Sequence, residues 1–64
     1  MKVKYDKNVD TLYLSLSDEK VHESDEEKKG VIIDYAESGR VVGIELLHAS
    51  QQVSSPVKVE YEFA

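Results

Sequence analysis

Residues 31–47 constrain the fold most, because two runs of β-branched and aliphatic residues flank a short polar segment that contains Gly39. This pattern is typical of a β-hairpin, and glycine accepts a positive φ in a turn with the least strain. We expect Tyr35 to pair with Arg40, which sets the rest of the register. The apolar residues that then share one face are Val31, Ile33, Tyr35, Val42, Ile44 and Leu46.

Residues 1–5 and 11–17 alternate apolar and polar side chains, which is the pattern of strands with one buried face. A register with Tyr5 opposite Leu12 places every apolar residue of both strands on the same face. The connecting residues 6–10 are rich in aspartate and asparagine, whose side chains bind their own backbone in turns. The sequence therefore predicts a second hairpin.

Residues 18–29 contain one strongly apolar residue, Val21, and so contribute charge rather than packing. A short edge strand at about residues 20–24 fits this composition, because charges on an edge strand discourage association between sheets. Residues 25–30 would then form an exposed loop.

The spacing of apolar residues changes twice in the last third of the chain. Residues 46–53 place apolar side chains near helical spacing, so we expect one or two helical turns that end before Pro56. Residues 57–63 then alternate strictly between apolar and charged side chains, which predicts a final strand. Its partner is either this chain's own sheet or a second protomer.

These elements predict a single small domain spanning residues 1–64, of the α+β class but mostly β. It would be an antiparallel sheet of two hairpins plus a C-terminal strand at 57–63, with one short helix near residues 46–53. A chain of 64 residues builds only a thin core, and with no cysteine it has neither disulfides nor thiolate metal sites to reinforce it. The strands also carry more apolar surface than so short a helix covers, so we expect a homodimer.

The charge balance excludes some classes of ligand. Thirteen acidic and eight basic residues give a net charge of −5, which repels phosphate backbones and makes nucleic acid a poor candidate. No run approaches the ~20 apolar residues that a membrane span requires, and no apolar segment follows the first lysines as in a secretory signal. We therefore expect a soluble, cytoplasmic protein with no membrane partner.

Asp6, Asn8 and Asp10 match the first three ligand positions of an EF-hand calcium loop. The match fails at Thr11, where that loop requires glycine, and at Ser17, where it requires glutamate. A turn whose aspartates and asparagine cap its own backbone is the better interpretation. A weak cation-binding or small-ligand site at this turn is the alternative.

No other group of residues points to catalysis or to a cofactor. His22 and His48 have no second metal ligand at suitable spacing, and no serine lies in a nucleophile-elbow pattern. Asp34 and Glu45 share one face of the central hairpin, but they belong to different rungs and lack a cleft, so we interpret them as solvated acids. We expect a protein that is not an enzyme and carries no cofactor.

Several motifs occur in an order shared with a known group of proteins. They are Tyr5-Asp6, Asp10, Leu12-Tyr13-Leu14, Gly30-Val31-Ile32-Ile33-Asp34-Tyr35, Gly39-Arg40-Val41-Val42-Gly43-Ile44-Glu45, and Leu47 with Ala49 and Ser50. Over residues 3–50 the chain resembles the short bacterial and archaeal proteins grouped as domain of unknown function 2283. It departs from that family at His48, where an aspartate is typical, and at Gln51-Gln52 and the strand predicted after them, where a basic helical continuation is typical.

The resemblance implies little about activity, because the family has no assigned function. Its members are often regarded as small partners encoded beside ribonuclease-like toxins, which implies an antitoxin-like role. An acidic domain with excess apolar sheet surface suits that role, since a basic partner would be attracted to it.

Residues and resemblance together predict a non-catalytic protein-binding module that neutralises a basic protein. The residues expected at its interface are Tyr13, Glu23, Asp25, Glu26 and Glu27. The acids would steer the partner, and Tyr13 points away from the apolar face of the sheet. Gly43 favours close approach of Tyr13 or of a neighbouring chain.

Overall fold

A computed structural model describes the whole chain, residues 1–64, as one five-stranded antiparallel sheet with one short helix. The elements in chain order are β1 (Lys2–Asp6), β2 (Thr11–Ser15), β3 (Glu23–Lys28), β4 (Val31–Tyr35), β5 (Val41–Leu46) and α1 (Ala49–Gln52). The strand order across the sheet is β1-β2-β5-β4-β3, so β1 and β3 form its two edges. The predicted fold, mostly β and antiparallel with one short helix, is confirmed. No helix is long and apolar enough to cross a membrane.

The first hairpin has the predicted register. Tyr5 pairs with Leu12 and Val3 with Leu14. Asn8 N donates to the Asp6 carboxylate at 2.9 Å, so the turn caps its own backbone as expected.

The central hairpin forms as predicted, but its predicted register is wrong. Tyr35 pairs with Val41 and not with Arg40. The reason is that Ala36 and Arg40 close the turn instead, with Ala36 N donating to Arg40 O at 2.8 Å. Gly39 lies in this three-residue loop with a φ of 91°, the positive value that such loops require.

A bulge next to the turn explains why the predicted faces are nevertheless correct. The pairing shifts between Tyr35 and Asp34, so that Asp34 lies opposite Gly43 and Val42 is left without a partner in the ladder. The ladder beyond the bulge is displaced by two residues from the predicted one. Beyond the bulge, a displacement of two returns each side chain to its predicted face, because side chains alternate with a period of two. Val41 is the exception, since it pairs with Tyr35 and not with Asp34.

Each face of the sheet has its own chemistry. Residues paired across strands point to the same side, which makes one face apolar. Its rows are Val3–Leu14–Ile44–Ile33 and Tyr5–Leu12–Leu46–Val31. The opposite, polar face has the rows Lys4–Tyr13–Glu45–Ile32–Glu26 and Lys2–Ser15–Gly43–Asp34–Ser24.

The edge strand in the charged segment lies later than predicted. The expected strand at residues 20–24 and the loop at 25–30 are replaced by β3 and a tight turn at Lys29 and Gly30. All six side chains of β3 are exposed. Pairing of its backbone with β4 therefore forms this strand, and apolar periodicity, which the segment lacks, could not have located it.

The C-terminal strand predicted at 57–63 is wrong for the single chain. No strand forms there, and all seven residues are exposed. An alternating segment becomes a strand only when the backbone of a neighbour accepts its hydrogen bonds, and neither edge of this chain's own sheet does so. The predicted helix is confirmed within residues 46–53, although Leu46 still belongs to β5 and Val53 is already extended.

The core is as thin as the length suggested. Its buried hydrophobic residues are Leu12, Ala36, Val42 and Ala49. No large side chain is fully buried, and the accessible surface is 5213 Å², roughly 1,100 Å² more than a compact monomer of this size exposes. The chain thus leaves much of its apolar surface half-covered.

Asp10, in the turn between β1 and β2, holds the start of the helix. Its carboxylate accepts hydrogen bonds from the Tyr5 hydroxyl at 2.7 Å, from Ser50 N at 3.0 Å and from Ser50 Oγ at 2.6 Å. Its carbonyl oxygen accepts from Ala49 N at 2.8 Å. The carboxylate and the carbonyl oxygen of Asp10 thus each satisfy one N–H group that a helix start cannot pair internally. The hydrogen bonds from Ser50 and Tyr5 hold the pKa of Asp10 below its usual range.

The end of the helix is held at the turn between β3 and β4. The Gln52 side chain donates to the carbonyl oxygen of Gly30 at 3.0 Å and also to that of Leu47. Leu47 N donates to the same Gly30 oxygen at 2.9 Å. One short helix therefore ties both outer hairpins to the end of β5.

We expect Ser50→Ala to lower the melting temperature by roughly 5 °C at neutral pH, because Asp10 loses one donor. Ser55→Ala, at an exposed serine beyond the helix, is the matched control and should change the melting temperature little.

The contribution of the Asp10–Ser50 hydrogen bond to stability should depend on pH. Folding lowers the pKa of Asp10, so this contribution is present above the ordinary carboxyl pKa and disappears as the pH falls through the lowered value. A difference between wild type and Ser50→Ala that persists unchanged in acid would contradict this assignment.

Candidate functional site

The acidic residues of β3 form the most distinctive charged surface of the molecule. Glu23, Asp25, Glu26 and Glu27 follow one another along an edge strand with one serine between them. They account for four of the thirteen acidic residues of the chain. Because β3 pairs only with β4, its outer side has no neighbouring strand. We call β3 with these four acids the acidic edge.

Neighbouring groups position two of these acids. The Tyr35 hydroxyl donates to the Glu27 carboxylate at 2.9 Å, and Gly30 N donates to the Glu26 carboxylate at 2.9 Å. The hydrogen bond to Glu27 raises the pKa of Tyr35, and burial and the charges of Glu27, Asp25 and Glu23 raise it further. The pKa of Tyr35 therefore depends on the negative charge of the acidic edge.

A second polar arrangement crosses the middle of the polar face. The Tyr13 hydroxyl on β2 donates to Asp34 Oδ2 on β4 at 2.7 Å, and Ser24 Oγ on β3 donates to Asp34 Oδ1 at 2.6 Å. The phenol reaches over β5 at Gly43, where a Cβ atom would lie 2.3 Å from the Tyr13 oxygen. Glycine at this position thus opens the path for the Tyr13–Asp34 bond, which links β2 to β4 across β5.

The environment of Tyr13 strongly favours the neutral phenol. The hydrogen bond to Asp34, burial, and the charges of Asp34 and Glu45 raise the pKa of Tyr13 to about 12. Tyr13 therefore stays protonated at neutral pH and acts as a fixed hydrogen-bond donor.

The positions predicted from sequence are brought together only in part. Glu23, Asp25, Glu26 and Glu27 all lie on β3, although the sequence predicted an exposed loop from residue 25 onwards. Tyr13 lies on the polar face as predicted, half-buried, with its hydroxyl bound to Asp34.

Asp34 is not the solvated acid that the sequence suggested. It is half-buried and accepts from both Tyr13 and Ser24, whereas Glu45 lies on another rung, opposite Ile32. Sequence reasoning missed the role of Ser24 as well. Gly43 was the one available signal, because a glycine inside an apolar strand indicates close approach of another group, but the predicted register placed it opposite Ile32 and not opposite Asp34.

The residues considered as ligands have other roles or stand alone. Asp6 accepts from Asn8, and both carboxylate oxygens of Asp10 accept hydrogen bonds. His22 and His48 are exposed, and no group of three or more His, Cys, Asp or Glu side chains could hold a metal ion. His48 lies directly before α1 with a φ of 51°, in the left-handed region.

A depression of about 390 Å³ lies on the polar face. Its lining residues are Lys4, Asp6, Val9, Thr11, Tyr13 and Glu45. It is widely open to solvent, whereas small-molecule sites enclose most of the ligand surface. The acidic edge therefore carries the clearer functional signal.

Comparison with known proteins identifies a family and no relative of known function. A family model described as "Protein of unknown function (DUF2283)" matches residues 2–50. The chain belongs to this family. The matched region contains the whole sheet and the first part of α1, while residues 51–64 lie beyond it. No curated protein and no solved structure matches the chain.

This DUF2283 protein should lose stability when Gly43 gains a side chain. Gly43→Ala should lower the free energy of unfolding by about 1–3 kcal/mol, because the new methyl group overlaps the Tyr13 ring. In a Tyr13→Leu background the same substitution should cost less than about 1 kcal/mol, because the ring is gone. Urea denaturation of the four proteins measures both values. Equal costs in the two backgrounds would show that Tyr13 is not what requires glycine.

Alkaline unfolding should report the Tyr13–Asp34 bond. The ordinary tyrosine pKa is 10.0 and that of Tyr13 in the folded chain is about 12, so between these values the unfolded state ionises first. Stability should therefore fall as the pH rises through this window. Tyr13→Phe should flatten that dependence, whereas Tyr61→Phe, at an exposed tyrosine of the C-terminal segment, should preserve it. Thermal melts at several pH values provide the comparison, and unchanged slopes in Tyr13→Phe would refute the assignment.

Proposed function

We propose that this protein is a non-catalytic protein-binding module whose acidic edge binds a basic segment of another protein. The observation that carries this proposal is the position of four exposed acids, interrupted only by Ser24, on a strand whose outer side is unpaired. The antitoxin-like role implied by the family resemblance is the biological form that we propose for such binding. The lack of cysteine suits a reducing compartment, and we propose that the protein acts in the cytoplasm.

The backbone of β3 supplies the first part of the recognition. An edge strand presents N–H and C=O groups along its open side, and an extended segment of a partner adds there as a further strand. The hydrogen bonds of such an added strand provide affinity without regard to sequence.

The side chains of β3 supply the second part. Glu23 and Asp25 lie opposite Tyr35 and Ile33 and so point to the apolar side, whereas Ser24 and Glu26 point to the polar side. An incoming strand therefore meets negative charge on both of its faces. Basic side chains on that strand would be attracted, and acidic ones would be repelled.

Cation binding at Asp6, Asn8 and Asp10 is less well supported. A cation at this turn would have to compete with Ser50 and Tyr5 for the Asp10 carboxylate. No observation favours it over the acidic edge.

A peptide of alternating arginine and threonine, seven residues long, is a suitable probe, with the glutamate–threonine peptide as its counterpart. We expect the arginine peptide to shift the amide NMR signals of β3 and to bind about tenfold more weakly when NaCl rises from about 50 to about 500 mM. It should also lower the pKa of Tyr35, because cations cancel the negative field there. The glutamate peptide should produce none of these changes.

Charge reversal locates the binding surface. Glu23→Lys with Asp25→Lys should weaken binding of the arginine peptide at least about tenfold. Asp18→Lys with Glu37→Lys changes the net charge equally at exposed positions outside β3 and should have a much smaller effect. If both double substitutions weaken peptide binding equally, or if binding is insensitive to salt, the proposal fails. The acids of β3 would then serve only to prevent association between sheets at this edge.

A further inference from the structure

The opposite edge of the sheet points to a second, independent interaction. We propose that residues 57–63 form a sixth strand, antiparallel to β1, on the sheet of a second copy of this chain, and that two copies exchange these segments. The segment lies outside the region that matches the DUF2283 family model. The acidic edge takes no part in this interaction.

The apolar side chains of residues 57–63 are unusually exposed. The exposed fractions are 71% for Val57, 65% for Val59, 78% for Tyr61 and 86% for Phe63. The rings of Tyr61 and Phe63 meet edge to face with centroids 5.4 Å apart, so they already lie on one side of the segment. An apolar side of this size needs a partner surface.

The pattern of charges on β1 matches that of the segment in one antiparallel register. The opposed pairs are Lys58–Asp6, Val59–Tyr5, Glu60–Lys4, Tyr61–Val3, Glu62–Lys2 and Phe63–Met1. In these six pairs every charged residue faces the opposite charge and every apolar residue faces an apolar one, which is the arrangement that stabilises cross-strand pairs. Val57 lies opposite Lys7, beyond the end of β1. A shift of two residues in either direction brings like charges together, Glu60 with Asp6 or Lys58 with Lys4.

The acidic edge is a poor acceptor for the same segment. On the polar side of β3, Glu26 would lie beside the glutamates of residues 57–63, and on the other side Glu23 and Asp25 would lie beside its apolar residues. On β1, by contrast, the segment would continue the apolar face beyond Val3 and Tyr5. Charge and hydropathy therefore both select β1.

The connection to the segment favours a second copy as the acceptor. In the single chain this segment does not pair with its own β1, although Asp10 holds the start of α1 beside that strand. A hydrogen bond from Lys58 N to Ser55 O bends the connection between Gln52 and Val57. A second copy approaches without this restriction.

The surface area also suits a dimer. The accessible surface exceeds that of a compact monomer by roughly 1,100 Å². A standard interface buries about 800 Å² on each partner. Mutual exchange of the segments would be a closed, two-fold arrangement in which each copy gives one strand and accepts one.

Charge exchange tests the register in the full-length chain. Lys4→Glu should weaken the dimer about tenfold, Glu60→Lys should do the same, and the double variant should regain most of the loss, as measured by sedimentation equilibrium at low salt. Both residues are exposed, so circular dichroism should show an unchanged fold. Glu37→Lys is the control and should leave the dimer intact. A wild-type chain that is monomeric at all concentrations, or a double variant that is no better than the single ones, overturns the proposal.

A disulfide experiment distinguishes exchange from pairing within one chain. The chain has no cysteine, so Val3→Cys and Tyr61→Cys introduce the only thiols. An opposed antiparallel pair has a Cα separation that a disulfide accepts. Mild oxidation of the two single variants mixed together should give the mixed dimer as the main product. An internal disulfide in the doubly substituted chain, formed without a dimer, would overturn the proposal in favour of pairing within the chain.

Discussion

The absence of a second layer is the constraint on which the rest of this structure depends. A five-stranded sheet with a single four-residue helix has nothing to pack across its apolar face, so most of its large apolar side chains stay half-buried. Hydrophobic burial therefore contributes less here than in a two-layer domain, and a chain this short has little stability to spare. Backbone pairing and a few polar contacts must define the arrangement of the strands.

Two polar arrangements have that role. Asp10 and Gly30 hold the two ends of the helix and so join both outer hairpins to the end of β5. On the polar face, Tyr13 and Ser24 both bind Asp34, which links β2, β4 and β3 across Gly43. Each of these bonds connects residues distant in sequence, so they fix tertiary structure that local propensity alone would leave open.

The sequence predicted the local structure better than the long-range contacts. Period-two alternation located four strands, and Tyr5 opposite Leu12 was correct because alternation and a turn of known length determine a hairpin register. The central register was wrong because a bulge beside Asp34 carries no signal in the sequence. For β3, which has no apolar pattern, only the partner strand determines where it begins. The acids of the candidate site were found as a run of charge, but their edge position and the partners of Asp34 depend on strand order.

The two edges of the sheet carry opposite charge, which shapes how copies of this chain can associate. β1 presents Lys2 and Lys4, and β3 presents a run of acids, so charge alone would attract β1 of one copy to β3 of the next. Such head-to-tail pairing does not close and would extend without limit. It would also place Glu23 and Asp25 beside the apolar side chains of β1, whereas residues 57–63 match that edge on both sides. A segment that covers β1 in a closed dimer would therefore prevent open-ended assembly and leave the acidic edge free for a basic partner.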